Sequence, residues 1–211
     1  MCGIQQRRQW RRSATRDPLN PKDHSIIYAQ VHLTLPAWIH QEVDIDSIYS
    51  DDETRMALVI QLARRNVELQ TGGPFGAAIF NSEGRVVSIG VNRVMLQNCS
   101  LAHAEIMAFM TAQSRLQRFR INDGGGRYTL ATSAQPCCQC YGASFWAGID
   151  EMLIGARSED VLELTEFDEG PLPADWVGEL VKRGISVKRD ILRESARGVL
   201  AFYRENGGAS Y

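Results

Sequence analysis

The sequence lacks the features of membrane and secreted proteins. No apolar run approaches the ~20 residues that a bilayer-spanning helix needs, and no basic-then-apolar leader follows Met1. Histidine is scarce, at four residues, and cysteine is limited to five. An odd number of cysteines, three of them crowded at Cys137, Cys138 and Cys140, does not make a disulfide framework. It suits a metal site or a reactive thiol in a reducing compartment. The expectation is therefore a soluble, cytoplasmic protein with no membrane partner. Charge of one sign is also missing overall, since the formal net charge is only -2. Residues 1–26 nevertheless hold six basic and two acidic groups, which leaves the rest with 17 basic and 23 acidic. An acidic body is a poor electrostatic match for a polyanion, which argues against nucleic acid as the main partner. The basic stretch itself reads as a disordered leader.

What is present is enough apolar residue for one substantial core: 211 residues, 44% hydrophobic. The expected organisation is a leader over 1–26, an N-terminal extension over 27–50 and one domain over 51–211. Residues 52–70 place Met56, Leu58, Val59, Leu62, Val67 and Leu69 near a helical stripe that closes on a glycine pair. The runs 75–80 and 85–92 are short, apolar and β-branched around a polar "NSEG", which predicts an antiparallel hairpin. Helix follows over 101–119, strand over 127–133, helix over 138–148 and strand over 151–156. "GISVKRD" gives a weak strand and residues 191–206 a final amphipathic helix, while "AWIHQEV" fits either a loop or a short helix. This alternation predicts an α/β fold whose later strands run parallel.

Two segments carry chemistry. "SLAHAEIMAF" puts His103 and Glu105 into an otherwise apolar helix, where buried titratable groups are costly without a partner. "AQPCCQCYGA" supplies one, because Cys137 and Cys140 stand three apart on one helical face near a helix start, where thiolates are favoured. One His and two Cys form a tripod for Zn2+ with a fourth position open, the arrangement of a catalytic site. Glu105 lies off the ligand row and is free to serve as general acid and base. Cys138 reads as a packed thiol pointing elsewhere, and Cys2 and Cys99 as ordinary residues.

"HAE" at 103–105 with "PCCQC" at 136–140 is the two-part signature of the zinc nucleobase deaminases. Over roughly residues 52–206 the chain resembles the cytidine/deoxycytidylate deaminase superfamily. "GGPFGAAIF", "GVNRV" and "AHAEIMA" are similar to its branch of bacterial guanine deaminases and tRNA adenosine deaminases. The resemblance implies a three-layer α/β/α sandwich around a mixed five-stranded sheet, one Zn2+ per subunit and a homodimer with C-terminal exchange. It implies His103, Cys137 and Cys140 as metal ligands, Glu105 as the proton shuttle and Asn92 as a hydrogen-bonding partner of the base. The alternative for Asn92 is a turn residue at a strand end. Phe75 is a stacking candidate or plain core. In "TEFDEGPLP", Asp168 would read the base and Glu169 would serve as a second carboxylate, against the alternative of a solvated acidic loop. Tyr211 would close over the base in a C-terminal lid, or be a loose end. Gln135 and Gln139 depart from the usual pattern around the cysteines. The implied reaction is hydrolysis of guanine to xanthine and ammonia, extending to amino-triazines such as ammeline. The alternatives are tRNA adenosine deamination and cytosine or cytidine deamination.

Overall fold

A computed structural model describes residues 30–209, so the basic leader, Cys2 and Tyr211 lie outside the described residues. The chain divides into Met1–His32 and Leu33–Tyr211. In the first unit the described residues, 30–32, have no regular structure. The second unit opens with a short helix α1 (Ile39–Glu42) and a long helix α2 (Asp52–Glu68). Asp51 caps α2 by accepting from the Thr54 N–H, and the Thr54 hydroxyl meets the Asp51 N–H in return. The strands β1 (Gly76–Asn81) and β2 (Val86–Val91) form the expected antiparallel hairpin. After them come α3 (Val94–Gln97), α4 (Ala104–Leu116), β3 (Tyr128–Ala134), α5 (Cys138–Ala147) and β4 (Glu151–Ala156). The chain ends in α6 (Ser158–Thr165), α7 (Trp176–Val181), β5 (Ser186–Lys188) and α8 (Arg193–Glu205).

The five strands lie in the order β2-β1-β3-β4-β5. β1 pairs antiparallel with both β2 and β3, whereas β3, β4 and β5 run parallel. Alternate side chains of each strand enter different layers. Ala78, Phe80, Ala131 and Leu153 join Met56, Val59, Val199 and Tyr203 in one core. Ala77, Ile79, Leu130, Met152 and Ile154 join Ala108, Phe109 and Leu180 in the other. Helices α2 and α8 therefore cover one face and α4, α5 and α7 the other, which gives the three-layer α/β/α sandwich. No helix among the described residues is long and apolar enough to cross a membrane.

Glycine brings α4 against the sheet. Gly90 in β2 lies so close to α4 that a Cβ there would overlap the Ala104 carbonyl. That contact places the start of α4 over the carboxyl end of β2. β3 delivers α5 to the same end.

Candidate active site

His103 is the N-cap residue of α4 and Cys137 that of α5, both in extended conformation. The expected helix over 101–119 puts His103 inside a first turn, whereas the one over 138–148 starts just after Cys137, as observed. The cap position still directs the two side chains at each other, and Cys140 follows from the first turn of α5. The ligand atoms of His103, Cys137 and Cys140 lie within 4.8 Å of one another. His103 Nδ1 is 3.4 Å from Cys137 Sγ and 3.6 Å from Cys140 Sγ. A tetrahedral zinc with Zn–S near 2.3 Å and Zn–N near 2.0 Å needs donor separations of about 3.5 Å. The donor set thus fits the metal in both chemistry and spacing, and no fourth His, Cys, Asp or Glu joins the group among the described residues.

Glu105 sits one residue into α4, only 6% exposed. Its Oε1 accepts from the Thr132 hydroxyl at 3.2 Å, and its Oε2 accepts from the Cys140 thiol at 3.4 Å. Burial pushes its carboxyl up, and the negative charge of Cys137 adds to that. Cys137 is held down to about 4, by its hydrogen bond with Cys140 against the opposing effect of burial, and then by His103. Cys140 is pushed up, first by Cys137 and then by burial. A dication in the tripod would oppose the carboxyl shift and favour both cysteines as thiolates.

These groups open onto a cavity of about 400 Å³, within the range of small-molecule sites. Glu105, His103 and Cys137 line it together with Phe75, Asn92, Phe167, Asp168, Glu169 and part of the 94–100 segment. Asn92 is 2% exposed, and its Oδ1 accepts from the Val94 N–H at 3.3 Å. No described residue takes a hydrogen bond from its Nδ2. Phe75 tilts against Phe167 with centroids 5.5 Å apart, so it both packs and lines the cavity. Glu169 is half-buried, and burial with the charges of Cys137 and Glu105 lifts its carboxyl to about 8. Asp168 lines the cavity but is exposed, and its Oδ1 accepts from the Gly170 N–H at 2.8 Å.

Three features of the site are not read from the sequence. Gln135, which stands out there only as a departure from the usual pattern, is buried and lines the cavity. Cys99, which reads as ordinary, lines it too. Cys138 lies outside the tripod as expected but is exposed, with its sulfur against Gly170. Its N–H donates to the Glu169 carbonyl at 2.9 Å, which ties the acidic loop to the start of α5. No local pattern signals that bond, because it joins residues 31 apart in the chain.

Residues 49–156 match the family described as the cytidine and deoxycytidylate deaminase zinc-binding region. A guanine deaminase from Nitrosomonas europaea superposes with a TM-score of 0.80 at 37% identity, over 85% of this chain and 99% of that one. The protein NE0047, solved in complex with 2,6-diaminopurine, superposes with a TM-score of 0.79 at 38% identity, over 85% of this chain and 95% of that one. The guanine deaminase of Bacillus subtilis is 34% identical over 117 residues, 56% of this chain and 71% of the relative.

Proposed function

Because this chain belongs to the cytidine and deoxycytidylate deaminase zinc-binding family, we propose that it hydrolyses guanine to xanthine and ammonia. The observation that carries this reading is the convergence of the His103–Cys137–Cys140 tripod, Glu105 and Asn92 on one cavity of about 400 Å³. The similarity to guanine deaminases over most of the chain supports guanine over other bases.

His103, Cys137 and Cys140 would hold one Zn2+ per subunit, and the bound ion would supply a water whose pKa falls towards neutrality. Glu105, fixed by Thr132 on one oxygen, faces the tripod with the other. It takes the proton of the attacking water, gives it to the ring nitrogen beside C2 and carries the next proton to the departing amine. The C2–N bond breaks as the C2–O bond is completed, so water and guanine leave as xanthine and ammonia. Asn92 offers its Nδ2 to an acceptor atom of the base, since its oxygen is already engaged by Val94. Phe75 stacks on the ring. Glu169 assists the leaving amine, and Asp168 accepts from the N–H edge of the base.

The C-terminal tail acts as the lid. Gly208 lies against the Tyr203 ring, and the Tyr203 hydroxyl donates to the Ala209 carbonyl at 2.7 Å. Tyr203 stacks on Phe167 at 6.0 Å, and Phe167 reaches Phe75 at the cavity. Tyr211, assigned to close over the base in its own subunit or in a neighbour of a homodimer, lies outside the described residues. The enzyme works in the cytoplasm in purine catabolism.

The test is ammonia release from guanine, ammeline, adenine, cytosine, cytidine, adenosine and a tRNA anticodon hairpin. Guanine should lead, ammeline should follow, and the nucleosides and hairpin should be inert. Cytidine turnover near that of guanine, or turnover of the hairpin alone, would overturn the assignment.

A further inference from the structure

Asn92 stands just past the last residue of β2, where the sheet stops holding the chain. Its N–H still donates to the Phe75 carbonyl at 3.1 Å, the final rung of the ladder. Everything else that fixes its backbone comes from outside the sheet. Asn66, fully buried in α2, donates from one Nδ2 to the Asn92 carbonyl at 2.9 Å and to the Gly73 carbonyl at 2.8 Å. Its Oδ1 accepts from the Thr71 hydroxyl at 2.8 Å. That hydroxyl in turn accepts from the indole Nε1 of Trp38 at 3.0 Å. A Cβ at Gly72 would overlap the Asn92 carbonyl, so the backbones are already in closest approach.

The residue after Asn92 is held from the same direction. Arg93 is buried, its Nε donates to the Thr34 carbonyl at 3.2 Å and its Nη1 to the Thr71 carbonyl. Gln97, at the end of α3, exchanges hydrogen bonds with Thr34 through its oxygen and its nitrogen, at 3.4 and 3.3 Å. Residues 34–42 are themselves anchored. Ile39 is buried, Leu35 and Trp38 pack against the α2 core, and Glu42 accepts from Arg65 at 2.7 Å and from Gln61 at 2.9 Å. A strap from the N-terminal extension therefore grips the chain on both sides of Asn92, at Thr71 through Trp38 and at Arg93 and Gln97 through Thr34.

We propose that Asn66 is a positioning residue for Asn92, and that the strap of residues 34–42 makes it one by holding Thr71 through Trp38. This rests on the reading of Asn92 as the base-binding amide. A carbonyl pinned by a buried donor fixes the Asn92 backbone, so its side chain meets the base without searching for its orientation. Misplacing such a group by about 1 Å costs up to ~100-fold in rate. The strap thereby gives the extension a part in substrate binding that is separate from the metal and from Glu105.

The variants that test it are Asn66→Asp, which keeps shape and still accepts from Thr71 but has no donor when ionised and only one for the two carbonyls when protonated, and Trp38→Phe, which keeps an aromatic ring and loses the indole donor. Each is made alone and in an Asn92→Ala background, with zinc content and melting temperature recorded. For guanine deamination, Asn66→Asp should lower kcat/KM ~10- to 30-fold and Trp38→Phe ~3- to 5-fold, mainly through KM, with zinc content unchanged. In the Asn92→Ala background both effects should shrink below ~2-fold, because groups that act through one another are not additive. Additive losses, wild-type kinetics for Asn66→Asp, or a loss confined to kcat would each overturn the positioning role. Should Asn66→Asp not fold, Trp38→Phe and Thr71→Val test the same coupling from the other end of the hydrogen-bond chain. Wild-type kinetics for Asn92→Ala would instead overturn the reading of Asn92 and this proposal with it, and no ammonia from guanine with the unaltered protein would overturn the substrate.

Discussion

Replacing Glu105 with Gln separates proton transfer from metal binding. The amide fits the space of the carboxylate. Its oxygen can accept from Thr132, as Oε1 does at 3.2 Å, and its NH2 can donate to the Cys140 sulfur that lies 3.4 Å from Oε2. The tripod of His103, Cys137 and Cys140 loses no donor, so zinc should stay at one per chain. The melting temperature should change little, because the amide keeps the shape and both hydrogen bonds of the carboxyl. Turnover should collapse. Glu105 carries protons to two sites in turn, and each positioned transfer contributes ~10²- to 10⁴-fold. Losing both at the low end gives ~10⁴-fold in kcat, about 5.5 kcal/mol of barrier. Atomic absorption on the purified protein gives the metal, and a coupled ammonia assay gives the rate. Zinc content falling in parallel with activity, or a kcat within tenfold of the parent, would refute the role of Glu105 as a proton carrier that is not a ligand.

Other expectations follow from the same geometry. Gly90→Ala should destabilise by more than about 3 kcal/mol in urea titration, above the usual range for overpacking, because the added methyl meets the Ala104 carbonyl and not a movable side chain. Asp160 accepts from Arg193 twice at 2.7 Å, from the Arg157 N–H at 2.8 Å and from Arg197, and these bonds hold its carboxyl well below the ordinary carboxylate range. Its folded pKa is the depressed one, so the stability it contributes is fully present above pH ~4 and is lost as pH falls towards that folded value. Asp160→Asn should accordingly cost about 3 kcal/mol at pH 7, the low end for breaking a buried pair since both guanidiniums keep a side towards water, and the difference from the parent should narrow at pH 3. Deleting residues 207–211 removes the Ala209 carbonyl that accepts from Tyr203. The truncated protein should fold and keep zinc but lose most guanine turnover, and unaltered kinetics would reduce the tail to a loose end.

Much of the fold is legible in the sequence because its signals are local. The period of 3.6 in residues 52–70 marks α2, and the apolar runs on either side of "NSEG" mark the hairpin of β1 and β2. The apolar run 151–156 coincides with β4, and the final amphipathic pattern matches α8 within two residues. Three helices carry no such signal: α3, α6 and α7 span four, eight and six residues, too short for a period to repeat. The pattern also puts the start of α4 three residues early, because Leu101 and Ala102 continue its apolar run while His103 takes an extended cap conformation.

By itself the sequence determined only the local spacings, Cys137 and Cys140 three apart at one helix start and His103 two before Glu105 at another, and it took the sheet to bring these two starts, 34 residues apart, into one tripod. Only the tertiary structure decided what stands around it. The Trp38–Thr71–Asn66–Asn92 chain joins residues 33, 5 and 26 apart. The Cys138–Glu169 bond and the Tyr203–Phe167–Phe75 contacts likewise link separate elements. Such partners come together only when the sheet aligns the ends of its strands, and neither composition nor periodicity records which side chains meet there. Hydrogen bonding and close packing depend on distances of about 3 to 4 Å in space, and sequence separation carries no information about those once two elements pack.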